Sequence, residues 1–369
     1  MNRRIRLVLL LFTLCVFVLS MGCQKQDSAW KGTISEEDGV TVVKNPKEPM
    51  YGVDVFSLVE ELAITDEAGG EECIFSNIIA IDIDETGRIY ILDYRDAHVY
   101  IFDTDGTYIK TFGRKGQGPG ELNMPITMKA LKGNMLAVEN LRNCINFYSL
   151  EGDFIREVQT ATAGAMRVTI DSHGNVFGTL VIRDEENPRY ELVKFDPEMN
   201  KICSLGSSPL ASARKGGYNP FGGSFVYNIR YDDYIVFGNH EKYEIDIYDP
   251  SGKLIKKISK DYDPVEITKE EKDRIPPPPG DIKVSIPKYH NPYSWFLTDD
   301  EGRIFVQTYE QVEEGGGYIY DVFDIEGKCL VKIPLKSTPR LIKKKKLYTV
   351  ESDKEGFLTV KRYRIDWNI

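Results

Sequence analysis

Histidine is scarce in this sequence, and the familiar catalytic motifs are missing. There are four histidines in 369 residues, and no C-x-x-C pair, G-x-S-x-G motif or H-E-x-x-H motif occurs. These absences argue against a histidine-rich metal site, a zinc-binding cysteine pair, a serine hydrolase and a zinc protease of the usual types. The net charge of −10 argues against nonspecific nucleic-acid binding, which depends on basic surface. The sequence therefore identifies no catalytic residue, no metal ligand and no cofactor.

The N-terminal residues have the pattern of an export signal. Arg3, Arg4 and Arg6 precede an apolar run over residues 7–19, which is too short to predict a membrane span. We therefore predict that residues 1–22 are a signal peptide of the lipoprotein type and lie outside the fold. An ordinary secretory signal and an uncleaved anchor are the alternatives.

The predicted cleavage site is similar to a bacterial lipobox. Gly22 precedes Cys23, although Ser20 stands where a leucine is usual. The resemblance implies that Cys23 is lipidated, so the protein would meet a membrane only through its lipid anchor. Gln24 replaces the aspartate that retains lipoproteins in the inner membrane. We therefore expect an exported protein of the bacterial cell envelope, at the outer membrane or cell surface rather than the inner membrane.

A pattern of four strands is repeated along the rest of the chain. In residues 78–113, β-branched and aromatic residues alternate or run together between turns rich in Asp and Gly. The same pattern returns over residues 125–159, 165–206, 224–259 and 292–335, and a shorter copy covers residues 339–367. Each complete copy predicts one four-stranded antiparallel sheet.

The shorter copy lacks a fourth strand, and a candidate for it precedes the first repeat. Residues 54–64 read as a strand, and we predict that they pair beside residues 357–366 and close a ring. Closure matters because an open array leaves unpaired strand edges. Five complete copies and one split copy predict six blades over residues 51–369, after a tether and leader hairpin over residues 23–50.

A resemblance to a known family is carried by the segment RIYILDYRDAHVYIFDTDGTYIKTFGRKGQGPGEL. This segment resembles the repeat of six-bladed β-propeller lipoproteins of the NHL-repeat type. The resemblance implies an all-β fold, a six-bladed β-propeller of four-stranded antiparallel blades with the ring closed by an N-terminal strand. It implies little about activity, because propellers host many functions.

The two ends of such blades differ in their loops. The turns between first and second strands, and between third and fourth strands, share one face, which we call the turn face. The loops between second and third strands share the opposite face with the links between blades, and we call it the loop face. The longer and more varied segments lie on the loop face. Binding residues are usually found in such loops, so the sequence favours a site there.

Several basic side chains fall in these loops and links, and they are the candidate binding residues. They are Arg95, Arg114, Lys115, Arg142, Arg183, Arg214 and His240. Together they would attract an anionic glycan or peptide, and an envelope protein is the other partner expected at this face. The alternative is pairing with acids of the same loops, namely Asp93, Asp96, Glu121, Glu139 and Asp184.

These observations predict a ligand-binding or protein-interaction scaffold. The alternative is a metal-dependent lactonase or lyase with its site at the axial channel. A cation in that channel is therefore not excluded. Asp93, Glu139 and Glu351 end equivalent strands and could converge on such a cation, resembling gluconolactonase-type propellers. The favoured interpretation is that these acids bond to the backbone of nearby loops.

Other segments have local signals that leave their roles open. Thr268 and Glu271 have the spacing of a capping box, which predicts a helical turn over residues 268–274. The surrounding insert, residues 260–291, is either a lid over the channel or a surface insertion. The lysine run at residues 343–346 is interpreted as a solvated turn. Four cysteines form disulfides or remain buried thiols: Cys73, Cys144, Cys203 and Cys329.

The lipobox resemblance predicts the behaviour of a Cys23→Ser variant. Without the thiol that accepts the lipid, the protein should leave the membrane fraction or remain unprocessed. Fractionation and the mass of the mature chain would measure this. Unchanged processing together with unchanged membrane association would contradict lipidation at this residue.

Overall fold

The repeated pattern folds into six four-stranded blades around one axis. The computed structural model describes residues 30–141, 143–160, 169–184, 186–210, 219–222, 225–276, 284–312 and 316–369. Strands within each blade are antiparallel. The first strand of each blade contacts the first strands of both neighbouring blades, so these six strands surround the axis. The predicted all-β ring is therefore confirmed.

The strands are numbered along the chain. The N-terminal strands are β1 (Thr33–Glu37), β2 (Val40–Asn45) and β3 (Phe56–Ile64). Blade 1 contains β4 (Ile78–Ile83), β5 (Ile89–Asp93), β6 (His98–Phe102) and β7 (Tyr108–Phe112). Blade 2 contains β8 (Pro125–Leu131), β9 (Met135–Asn140), β10 (Cys144–Ser149) and β11 (Phe154–Gln159). Blade 3 contains β12 (Thr169–Ile170), β13 (Val176–Ile182), β14 (Arg189–Phe195) and β15 (Lys201–Pro209).

The second half of the chain forms the other three blades. Blade 4 contains β16 (Phe225–Ile229), β17 (Ile235–Asn239), β18 (Glu244–Tyr248) and β19 (Leu254–Lys260). Blade 5 contains β20 (Trp295–Thr298), β21 (Ile304–Gln311), β22 (Tyr318–Phe323) and β23 (Cys329–Leu335). Blade 6 contains β24 (Pro339–Lys343), β25 (Lys346–Ser352) and β26 (Leu358–Trp367), with β3 as its outer strand.

The described residues contain few helices, and these are short. Two 3-10 helices cover Val53–Val55 and Asp66–Glu72, and the α-helix α1 covers Lys269–Asp273. The predicted capping box is present, because the Thr268 hydroxyl accepts from the Glu271 amide at 3.2 Å and the Glu271 carboxylate accepts from the Thr268 amide at 2.8 Å. Both interpretations of the insert, as a lid and as a surface insertion, include residues 277–283, which lie outside the described residues. In the described chain no helix is long and apolar enough to cross a membrane.

The leader hairpin widens blade 4 to six strands. Strand β2 pairs with the outer strand β19 in parallel, and β1 pairs with β2. The Nδ2 of the buried Asn45 side chain donates to the carbonyl oxygens of Ser259 and Gly327, and its Oδ1 accepts from the backbone amide of Cys329 at 2.7 Å. The hairpin therefore joins blade 4 to blade 5.

Asp-x-x-Gly turns connect strands on the turn face. The Asp84 carboxylate accepts hydrogen bonds from three successive backbone amides at 2.9 to 3.0 Å, and Gly87 supplies a φ of 95°. In the corresponding turn of blade 4, Asp233 stands at the glycine position with a φ of 66°. Aspartate tolerates this left-handed conformation better than most residues.

The core is divided into six wedges, each between two neighbouring blades. Every cluster of buried apolar side chains draws on two adjacent blades, and the six clusters complete the circle. The middle strands are buried on both sides, which explains why they read as continuous apolar runs. Each blade is therefore stabilised only when both neighbours are present.

Strand β3 closes the ring, as predicted. It pairs antiparallel with β26, from Val360 opposite Ile64 to Trp367 opposite Phe56. Ile64 is buried in the wedge between blades 6 and 1. The N- and C-terminal parts of the chain are thus joined in one sheet.

The cysteines outside the leader remain thiols in the described chain. Cys73, Cys144 and Cys329 are buried, and Cys203 is half-buried. Burial raises the pKa of Cys203 and Cys329. Cys73 and Cys329 act as small apolar side chains of two wedges, in line with one of the two alternatives.

Ring closure predicts the effect of removing β3. A chain that begins at residue 66 should aggregate or lose cooperative melting, because β26 becomes an open edge and one wedge is exposed. A chain that begins at residue 30 is the matched control, since it keeps β3. Calorimetry and light scattering would measure both chains. A monomeric residue-66 chain with an unchanged melting temperature would contradict closure by β3.

Candidate functional site

A cavity of about 240 Å³ lies on the axis and reaches the turn face. All six first strands contribute to its wall, together with the turns that follow them. The wall extends from Thr127 and Arg340, inside their strands, to Glu85 and Asp300 in the turns. The sequence favoured the loop face for binding, whereas this shared cavity is at the opposite end of the blades.

The cavity exists because six inner strands in a ring cannot meet at the axis. Their outward sides pack into the wedges, and their axial edges have no further strand to pair with. Polar side chains can therefore occupy the axis, where the neighbouring blades supply their partners.

Lys129 lies on β8 and lines this cavity. Four charged groups from four other blades act on it, namely Asp82, Lys343, Asp233 and Asp171. Among the described residues, no acceptor lies within hydrogen-bond or ion-pair distance of its ammonium. Removal from water lowers the pKa of Lys129, and the nearby Lys343 adds to this effect while Asp82 opposes it.

Asp82 joins three blades at the cavity wall. Its Oδ1 lies 3.3 Å from the Lys343 Nζ of blade 6, and its Oδ2 accepts from the Ala130 amide of blade 2 at 2.8 Å. Lys343 also donates to the Ile83 carbonyl oxygen at 2.6 Å. The interpretation of residues 343–346 as a solvated turn is therefore wrong for Lys343, which is buried because its ammonium bridges blades 6 and 1.

The other carboxylates of the wall also have partners. Asp171 lies 3.3 Å from the Lys194 Nζ, and Asp233 accepts from the Ser172 amide at 2.8 Å. The remaining pairs are Asp299 with Arg303, Asp300 with the Lys344 amide, and Glu85 with Tyr231. The acids of the cavity are therefore engaged by protein donors, whereas Lys129 is not.

Tyr231 spans the mouth of the cavity. It belongs to blade 4, and its hydroxyl donates to the Glu85 carboxylate of blade 1, on the opposite side of the ring, at 2.6 Å. The ammonium groups of Lys132 and Lys343 lie 5.3 and 5.5 Å from its ring centroid. Burial and the Glu85 carboxylate raise the pKa of Tyr231, so it remains a neutral donor.

Those predicted binding residues that the structure describes lie on the loop face. Arg95, Lys115 and Arg183 are exposed, and the described chain offers them no ion-pair partner. Arg114 pairs with Glu121 at 2.8 Å, as the alternative interpretation proposed. Three predicted residues lie outside the described residues: Arg142, Arg214 and the lipidation residue Cys23.

His240 has a structural contact between blades 4 and 5. Its Nε2 lies 3.1 Å from the Ser294 carbonyl oxygen, and its ring meets Tyr293 edge-on at 5.3 Å. His240 and His290 both line a second cavity, of about 410 Å³, and His290 stacks on Tyr309 at 4.1 Å. The stacked ring of His290 attaches the insert to blade 5, and a binding role for His240 stays a prediction.

The acids at the ends of second strands are held by protein groups. Asp93 is fully buried and accepts hydrogen bonds from four loop amides at 2.7 to 3.1 Å. Glu351 accepts from the hydroxyls of Ser337 and Tyr363. Glu139 is buried and also has a partner. Within the described ranges, no three His, Cys, Asp or Glu side chains are grouped to hold a metal ion.

No sequence motif marks the residues that line the cavity. Lys129, Tyr231 and Lys343 are far apart in the chain, and each is one basic or aromatic residue among many. A usable signal was their equivalent position, because each lies at or near the end of the first strand of its repeat. That position becomes informative only when these strands are known to surround an axis.

Comparison with known proteins agrees with the architecture. A family model described as a 6-bladed beta-propeller, DUF5128, matches residues 68–236. The chain is a six-bladed β-propeller. A comparison with curated proteins found no match. The finer resemblance of this propeller, to lipoproteins of the NHL-repeat type, stays a prediction.

Solved structures share the propeller fold at low identity. A Bacteroides fragilis protein assigned by name to the exported proteins is 12% identical, with 88% of this chain and 99% of that chain covered and a TM-score of 0.57. A member of the duf4221 family from Bacteroides vulgatus is 14% identical, with 85% and 99% covered and a TM-score of 0.53. These similarities establish the fold alone.

The environment of Lys129 predicts that its charge lowers stability. A Lys129→Met variant keeps the apolar stem and removes an unpaired charge, so the free energy of unfolding at pH 7 should rise by about 1 kcal/mol. The pKa of Lys129 is lower in the folded state than in the unfolded state, so its charge lowers stability fully below the folded-state pKa. This destabilisation disappears as the pH rises towards 10.5. The stability that Lys129→Met gains should therefore be smaller at pH 10 than at pH 7.

Urea unfolding at pH 7 and at pH 10 would measure this difference. Lys132→Met is the matched control, because Lys132 is an exposed lysine of the same blade and should change stability little. A loss of stability in Lys129→Met at pH 7 would show that the protein itself satisfies the ammonium.

Proposed function

We propose that this propeller is an exported, lipid-anchored module that binds a small molecule in the cavity on the turn face. Export and anchoring are inferred from residues 1–22 and Cys23. The exported protein of Bacteroides fragilis with the same fold is compatible with this location. Binding is inferred from the cavity.

The observation that supports binding most strongly is the ammonium of Lys129. Lys129 is half-buried, and a charged group that is partly removed from water is normally paired, because leaving it unpaired costs free energy. Here the carboxylates of the wall have protein partners while Lys129 has none among the described residues. A group with a shifted pKa in a cavity is a candidate for function, and a ligand would supply the missing partner.

The dimensions of the cavity favour a small ligand. Pockets for drug-sized molecules occupy about 300–1,000 Å³, and this cavity has about 240 Å³. A molecule on the order of one sugar or one amino acid fits this range. The wall comes from six blades packed on each other, so the site is largely formed before binding, which reduces the entropy lost on association.

The loop face is the competing site for the same function. Arg95, Lys115 and Arg183 are exposed there without ion-pair partners in the described chain, so an anionic glycan, a peptide or an envelope protein could still bind them. They are spread over blade 1, blade 3 and the link between blades 1 and 2, and they lie in water, where isolated charges bind weakly. The lactonase or lyase alternative has no supporting observation among the described residues and is not proposed.

Closing the cavity mouth tests the proposed site. The exported chain with Tyr231→Cys is screened by thermal shift against small sugars, amino acids and organic acids, before and after attachment of a bulky maleimide. Molecules that stabilise the unmodified variant should lose their effect after modification, because the attached group covers the mouth.

The matched control carries Lys115→Cys on the loop face and the same maleimide. Cys203, which is half-buried, is common to both variants, so its reaction cancels. Loss of binding only in the modified Lys115 variant would place the site on the loop face and contradict the proposal.

A further inference from the structure

We propose that the cavity binds a singly charged carboxylate, held by hydrogen bonds from the Lys129 ammonium to the carboxylate oxygens. This inference rests on the proposed function, because it assigns a chemical class to the ligand of the same cavity. It arises from the imbalance between the donors and acceptors of the wall.

The acceptors of the wall are occupied, and several donors are not. Asp82 is held by Lys343 and by the Ala130 amide, and the other wall acids have comparable partners. Lys129, Lys132 and Arg340 have no carboxylate partner among the described residues. A cationic ligand would have to displace protein donors from these acids. An anionic ligand would use donors that are unoccupied, which makes it the better complement.

The charge of the ligand is limited by the same wall. Asp82, Asp171 and Asp233 all act on Lys129, so any anion beside this ammonium also meets three carboxylates. A single negative charge is compensated by the ammonium, whereas a second charge would be repelled in a site of low dielectric constant. A carboxylate is therefore favoured over a phosphate dianion.

The other residues of the wall indicate which chemical groups the rest of the ligand carries. Ile81, Leu297 and Leu341 supply apolar surface, while Thr127 and Thr298 add hydroxyls. A small hydroxy acid or sugar acid has the matching combination of one carboxylate, hydroxyl groups and short apolar parts.

The test compares simple anions with and without the Lys129 ammonium. Melting temperatures of the exported chain are measured with acetate, glycolate, glucuronate and phosphate at constant ionic strength, up to tens of millimolar. At about tenfold excess over Kd, at least one carboxylate should raise the melting temperature by about 2–4 °C. Calorimetric titration then gives its affinity for each variant.

Substitutions at Lys129 separate charge recognition from packing. Lys129→Met should weaken carboxylate binding about 10- to 100-fold, because a charge-assisted hydrogen bond is lost. Lys129→Arg keeps the charge and should retain binding within about tenfold. Lys115→Met, which removes an exposed lysine of the loop face outside the cavity, should change affinity less than about twofold. The melting curves of the ligand-free variants show whether each one folds.

Several outcomes would overturn the inference. They are the absence of any carboxylate effect, equal binding by Lys129→Met and the unmodified chain, and binding of phosphate alone. A neutral molecule that is blocked by the maleimide at residue 231 but insensitive to Lys129→Met would overturn the carboxylate assignment and leave the proposed cavity function standing.

Discussion

The pairing of β3 with β26 is the constraint on which the rest of the structure depends. Each apolar wedge is shared by two blades, so a blade has no complete core of its own. Removing one pairing would expose the wedge between blades 6 and 1, where Ile64 and Val360 meet residues of the first blade. The ring is therefore cooperative: its blades are stable together because the last strand comes from the beginning of the chain.

The closed ring also determines where polar groups can be buried. Six inner strands surround an axis that none of them fills, and side chains from distant parts of the sequence meet there. Lys343 reaches Asp82 across one blade boundary, and Tyr231 reaches Glu85 across the whole ring. These contacts lock the inner strands at the turn face. Lys129 is the exception, since its neighbours are charged but none bonds to it. A rigid frame can keep such an unfavourable group, and functional sites often contain one.

The two faces of the propeller differ in physical character. On the loop face, exposed arginines and lysines are screened by water and salt, and one of them, Arg114, is neutralised by its neighbour Glu121. On the turn face, charges lie within a narrow cavity and act on each other at lower dielectric constant. The number of basic residues is therefore a poor guide to where an anion would bind. One half-buried ammonium without a protein partner, inside a cavity, is a better candidate for binding an anion than several ammonium or guanidinium groups in solvent.

The sequence by itself determined the strands, the turns and the closing strand of this protein. Those features depend on local patterns, such as Asp and Gly in the turn at Asp84, or on the count of complete repeats, which left residues 54–64 as the missing strand. Only the tertiary structure decided which residues share the cavity. Lys129, Tyr231 and Lys343 are separated by about a hundred residues each and converge because the ring returns every first strand to the axis. Their burial and pairing depend on neighbouring blades, and no local pattern in a single repeat encodes that.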